Sequence, residues 1–369
     1  MKPIHIGDLV VSLPLVQGGM GVGISLSGLA AAVANEGGVG TIATAGIGMF
    51  EPDFANNYLE ANIRALKKEI RKARTMTKGV LGVNIMVALS NYADLAKAAV
   101  EEEIDIIFSG AGLPFDLPKF LTPDSKTKLV PIVSSGRAAA IIAKKWLDRY
   151  NYQPDAIVVE GPLAGGHLGF KIEHLDDPNY SLKKLIPEVI EALKPFVEKY
   201  QNPIPVIAGG GIYTGQDIRE IMELGADGAQ MGTRFVTTDE CDASDAFKQA
   251  YLDSKKEDVV IIKSPVGMPG RAIRNQFLDD VIKGEKKPFK CPHQCIITCD
   301  FKNTPYCIAL ALINAQQGLM KDGFAFAGAN AFRNNCIISV KETIQALVKE
   351  FGESIGQAAG SKTSETPAA

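Results

Sequence analysis

One histidine stands where chemistry could be built. His167 follows the glycine pair Gly165–Gly166 in AIVVEGPLAGGHLG, residues 156–169, behind an apolar run that ends in Glu160. Imidazole titrates near neutrality, so it can take up a proton or hydrogen-bond an anionic substrate. Glycines let backbone approach a ligand closely. A lone histidine is more often structural, but behind a glycine pair at a strand end catalysis is the stronger reading. His5, His174 and His293 lack such a setting and receive no role. Three other glycine-rich stretches stand out: GGMGVG from residue 18, GGGIYTGQDI from 209 and QMGTRF from 230. The segment around Gly211, together with Gln230, Met231, Gly232 and Thr233, reads as a phosphate cradle, with the Thr233 hydroxyl as a donor. Tight turns are the alternative use of those glycines.

Four of the six cysteines, Cys291, Cys295, Cys299 and Cys307, form C-x3-C-x3-C-x7-C. Four close thiolates could hold zinc or an iron–sulfur cluster. The spacing matches neither the zinc knuckle nor the ferredoxin runs, and buried free thiols are the equal alternative. The metal-ligand set stays open.

These residues need a scaffold. Apolar runs at 14–19, 38–43, 80–87, 104–110, 129–135, 155–161, 204–211 and 228–232 alternate with helix-like stretches such as 54–74, 91–102, 136–149, 182–200 and 214–224. Continuous apolar runs suit parallel strands buried on both faces. Eight strand–helix units fit a closed (β/α)8 TIM barrel, with an open doubly wound sheet as the rival. Ser90 or Asn91 is a candidate cap before the helix at 91–102. In a barrel the glycine loops all fall at the strand ends where active sites form. Past residue 240 the rhythm breaks into turn-rich and cysteine-bearing sequence and two closing helices. The expected organisation is a barrel over 1–240, a helical, cysteine-containing C-terminal extension over 241–355 packed on it, and a disordered tail over 356–369.

Composition narrows the function. Apolar residues make up 46% and charged residues 22%, ordinary for a globular chain. A net charge of −3 leaves no electrostatic footprint for nucleic acid. No apolar run is long enough for a membrane span, and the first residues do not read as a signal peptide. A cytoplasmic enzyme acting on a small molecule is expected. Nothing in the sequence sets its oligomeric state.

LVQGGMG, GVNIMV, AGGHLG, VIAGGGI and GADGAQMGTRF, in that order over about residues 10–240, resemble the nitronate monooxygenases, once called 2-nitropropane dioxygenases. The FMN-dependent enoyl-ACP reductases of the same superfamily share most of these motifs. The resemblance implies a TIM barrel holding FMN non-covalently. It implies backbone contacts to the flavin from Gly19 and Met20, a hydrogen bond from Asn84, and further backbone contacts from Gly165 and Gly211. Gln230, Met231, Gly232 and Thr233 match the phosphate side, and His167 matches the catalytic histidine. Glu160 falls in the cofactor site where the nitronate monooxygenases usually carry glutamine, and a carboxylate there must be protonated or paired. The implied reaction oxidises alkyl nitronates with O2 to carbonyl compounds and nitrite. The alternative is an NAD(P)H-dependent FMN enoyl-ACP reductase or related flavin reductase. A flavin-free phosphate-binding barrel and a sensor that merely retains FMN are the remaining readings.

Overall fold

The computed structural model describes residues 1–286, 291 and 293–362, with only the backbone from 355 onward. Eight parallel strands form one sheet: β1 (Leu15–Gln17), β2 (Gly40–Ala43), β3 (Leu81–Met86), β4 (Ile106–Gly110), β5 (Lys128–Val133), β6 (Ile157–Glu160), β7 (Val206–Gly209) and β8 (Gly228–Met231). Their order is β1-β8-β7-β6-β5-β4-β3-β2. The two ends meet through a parallel bridge between Val16 and Val39, where Gln17 N–H donates to the Val39 carbonyl at 2.9 Å and Val39 N–H to the Leu15 carbonyl at 2.8 Å. The sheet is therefore a barrel and not the open doubly wound alternative.

The apolar runs divide by alternation. Ile106, Phe108, Val130, Val158 and Ile207 point into the barrel, and a hairpin of Ile4–Ile6 with Leu9–Val11 closes its floor with Ile4, Ile6 and Val11. Ile107, Leu129, Ile157, Val159, Val206 and Ala208 point outward into the helical layer. Both faces are dry, which is why these strands read as unbroken apolar runs. An aspartate registers each of β3, β5 and β7 at the floor. Asp105, Asp155 and Asp227 each accept a backbone N–H, from Leu81, Leu129 and Val206 respectively, at 2.8 Å.

The outer layer is α1 (Ser27–Asn35), α2 (Tyr58–Met76), α3 (Tyr92–Glu101), α4 (Gly136–Tyr150), α5 (Leu182–Tyr200) and α6 (Gly215–Glu223). Between β4 and β5 a 3-10 turn, Leu117–Phe120, takes the place of a helix. Asn91 occupies the cap position of α3 but its side chain does not bond the helix, and its Oδ1 is buried without a partner. Beyond β8 come α7 (Thr233–Val236), α8 (Asp245–Asp253), a hairpin of Val259–Lys263 with Pro269–Ile273, α9 (Gln276–Ile282), α10 (Ile308–Gln316) and α11 (Val340–Lys362). The hairpin was not expected from the sequence. Helix α11 returns to the barrel and packs between α6 and α1, where the helix after β8 belongs. Its Glu350 accepts the N–H of Gly215 at 2.7 Å. It runs as helix into the stretch read as a tail, and residues 363–369 lie outside the described residues.

The β7–α6 loop is fixed by a capping box. Thr214 Oγ1 accepts the N–H of Asp217 at 3.1 Å, and the Asp217 carboxylate accepts the N–H of Thr214 at 2.8 Å. Losing a cap of this kind costs about 1 kcal/mol. Thr214→Ala should therefore lower unfolding free energy by about 1 kcal/mol in a urea titration, with the slope unchanged.

Candidate active site

A cavity of about 830 Å³ opens at the C-terminal ends of the strands, roofed by the segments that follow β8. Every residue singled out for the site lies on its wall: Gly19, Met20, Asn84, Glu160, Gly165, His167, Gly211, Gln230, Met231, Gly232 and Thr233. They come from the ends of five strands, β1, β3, β6, β7 and β8, as the barrel topology requires.

The glycines act by what they omit. A Cβ on Gly19 would sit 2.3 Å from Cβ of Asn84, so the β1 loop can cross the end of β3 only as bare backbone. A Cβ on Gly165 would lie 2.6 Å from the backbone of Ala327 and Gly328, and Gly166 takes the left-handed region at φ +73°. The amides of Asn84 and Gln230 line the cavity and make no hydrogen bond among the described residues. Thr233 Oγ1 accepts the N–H of Gly328 at 3.2 Å, which leaves its hydroxyl proton available to donate into the cavity. Asn330 Nδ2 donates to the Gly211 carbonyl at 2.6 Å. The stretch Ala327–Asn330 thus braces both halves of the cradle.

His167 sits in a two-residue strand, Gly166–His167, paired antiparallel with the hairpin strand Pro269–Ile273. Its Nε2 lies 2.7 Å from Ser264 Oγ, and its ring meets the edge of Phe326 at 5.0 Å between centroids. Burial pushes the imidazole down to about 4, so it is neutral at pH 7. Glu160 ends β6 in the same cavity. Burial pushes its carboxyl up to about 7, so at neutral pH a large share is protonated and able to donate a hydrogen bond. That removes much of the repulsion that an ionised carboxylate would bring.

Ser264, Arg271, Phe326 and Ala327–Asn330 were missed in the sequence, because they lie up to 160 residues from the motif they support. A hairpin signal was there: the β-branched run VVIIK precedes a glycine-containing turn and PGRAI. His293, given no role, stacks on Tyr58 at 5.0 Å and lines the cavity, as do Cys291, Cys295 and Cys307. Burial, with the other three thiols nearby, raises the Cys295 thiol to about 12. Among the described residues no group of three or more His, Cys, Asp or Glu is placed to hold a metal ion, so the zinc and iron–sulfur readings gain no support. No helix among the described residues is long and apolar enough to cross a membrane.

A closed (β/α)8 barrel with glycine-lined strand ends around a deep, histidine-bearing cavity defines a barrel enzyme working at its C-terminal face. The family model for nitronate monooxygenase matches residues 4–105 and 96–350, and the chain belongs to that family, as an FMN-dependent oxidoreductase. A probable nitronate monooxygenase of Staphylococcus aureus is 28% identical over 313 residues, covering 75% of this chain and 79% of its own. FabK from Thermotoga maritima superposes with a TM-score of 0.72 at 28% identity, covering 95% of this chain and 96% of its own. A nitroalkane oxidase from Streptomyces ansochromogenes, 22% identical, shares the fold with a TM-score of 0.72 over 94% of this chain and 97% of its own.

Proposed function

We propose that this chain is a cytoplasmic nitronate monooxygenase that oxidises alkyl nitronates with O2 to carbonyl compounds and nitrite. The observation that carries the reading is His167, half-buried and neutral, held on a strand at the wall of a cavity to which the glycine backbone at Gly19, Gly165 and Gly211 also contributes. The family membership and the Staphylococcus aureus relative support it.

The residues fit FMN. Gly19, Met20, Asn84, Glu160, Gly165 and Gly211 would hold the ring and sugar side, and Gln230 to Thr233 the phosphate side. When bound, FMN supplies the one-electron and oxygen chemistry that side chains lack. The chain does the rest. Neutral His167 hydrogen-bonds the anionic nitro group of a nitronate, or accepts the α-proton of a neutral nitroalkane at whichever nitrogen Ser264 leaves free. Ser264 fixes the ring by its bond to Nε2. The roof of α10, Tyr58 and His293 limits water above the substrate.

Two tests belong here. Heat release followed by chromatography should return stoichiometric FMN, and recovery of FAD would refute the cofactor assignment. Ser264→Ala should keep FMN bound and lower turnover by about tenfold, the worth of one lost orienting hydrogen bond, with unchanged turnover counting against its role.

Glu160 and the likeness to FabK favour a second reading, an NAD(P)H-dependent enoyl reductase using the same cavity. The division of the chain at residue 240 remains our proposal for its organisation.

A further inference from the structure

A buried cation stands behind the loop that carries His167. Arg271, in the hairpin strand Pro269–Ile273, is 6% exposed. Its Nη1 donates to the carbonyl of Pro162 at 2.7 Å and to that of Ala164 at 2.5 Å. Its backbone lies across the ladder from Gly166, as Gly270 lies across from His167. No carboxylate among the described residues forms an ion pair with it, and Asp176 acts on it only from a distance. Placing a guanidinium in the interior for two loop carbonyls is costly, so the bonds it makes should matter to something other than packing.

Peptide geometry shows what the loop gains. In a trans peptide the C=O and N–H point in opposite directions. With the carbonyls of Pro162 and Ala164 turned back to Arg271, the N–H groups of Leu163 and Gly165 turn the other way. Leu163, Ala164 and Gly165 line the cavity, whereas Arg271 does not. The N–H of Ala164 is used on the Gly161 carbonyl at 3.2 Å, but those of Leu163 and Gly165 find no acceptor among the described residues. A charge-assisted bond to a carbonyl also polarises its peptide, making the attached N–H a stronger donor.

We propose that Arg271 is a positioning residue of the active site, which aims the N–H groups of Leu163 and Gly165 into the cavity as paired donors for the bound flavin. The proposal rests on the FMN reading for the identity of the acceptor. It adds a residue that touches neither cofactor nor substrate but sets the backbone that does.

The test is titration of FMN into flavin-stripped full-length wild type, R271K and R271M, each shown folded by thermal unfolding, with amide hydrogen exchange followed at Leu163 and Gly165. R271M keeps the bulk but not the donors and should bind FMN about 10- to 100-fold more weakly, the range for hydrogen bonds that depend on a charged group. R271K keeps the charge and donors and should stay within about fivefold of wild type. In the wild type, FMN should slow exchange at both amides by about tenfold or more. R271M binding within about threefold of wild type overturns the proposal. So does a wild type that binds FMN without protecting either amide, and that readout decides the matter even where R271M fails to fold. A wild type that binds no FMN overturns the cofactor reading and this proposal with it, a result distinct from either of those.

Discussion

Replacing His167 by Ala or Asn is expected to lower turnover by about two to four decades, the usual worth of a positioned acid–base group, while FMN stays bound. The cofactor contacts we propose come mainly from backbone in the flanking loops, and the ladder pairs Gly270 with His167 and Arg271 with Gly166 through backbone, without the imidazole. The loss should be larger for a neutral nitroalkane, which must give up its α-proton first, than for a preformed nitronate, which needs only positioning. With the ring held near 4, His167 is a weak base by itself. On the proposed reading, a preformed nitronate should therefore turn over faster than the neutral nitroalkane. Steady-state kinetics on both substrates, with flavin content measured in each variant, checks this. Small and equal losses on the two would make His167 structural.

Glu160→Gln should reverse part of the pH dependence of stability. The Glu160 carboxyl is raised from 4.5 to about 7, so between those values the folded chain holds a proton that the unfolded chain has released. Stability from this group is whole below pH 4.5 and is lost as pH rises to 7, by about 3 kcal/mol at 1.4 kcal/mol per unit. His167 works in the opposite sense. Its pKa is lowered from 6.5 to about 4, so its contribution is whole above pH 6.5 and is lost as pH falls toward 4. From pH 4.5 to 6.5 the two slopes offset each other, and the wild type hides both. The Gln variant lacks the carboxyl, so its unfolding free energy relative to wild type should climb by about 3 kcal/mol from pH 4.5 to pH 8. Urea titrations at those two pH values measure it, and a constant difference would show that Glu160 ionises normally in the fold.

The barrel was legible because its signal is local and repeated. Ile106–Gly110, Val206–Gly209 and residues 157–159 are dry on both faces, and each helix between them carries its own apolar stripe. The first wall of the site was legible for the same reason, since Gly19, Gly165 and Gly211 sit at strand ends where only backbone fits. The second wall was not. Ser264 and Arg271 act on residues 162–167 through a hairpin whose pairing partner is the two-residue strand at His167, and a pairing that short leaves no alternation to read. The last helix was legible as a closing helix, but its place as the barrel's eighth was hidden by distance, because about a hundred residues separate β8 from α11. Of the candidates Ser90 and Asn91, Asn91 takes the cap position, but its side chain makes no bond to the helix and its Oδ1 is buried without a partner. Glu160 was legible as a departure from glutamine, but its protonation depends on burial that only the assembled cavity supplies.

Supplying the purified holoprotein with a preformed alkyl nitronate in aerated buffer, with no nicotinamide cofactor present, tests the functional reading most directly. Oxygen electrode and nitrite assay are run together. The expected result is oxygen uptake matched by nitrite release, abolished by heat and reduced by two or more decades in His167→Ala. No oxygen uptake and no nitrite, together with NADH oxidation that keeps pace with reduction of a crotonyl thioester, would contradict it and assign the cavity to the reductase reaction.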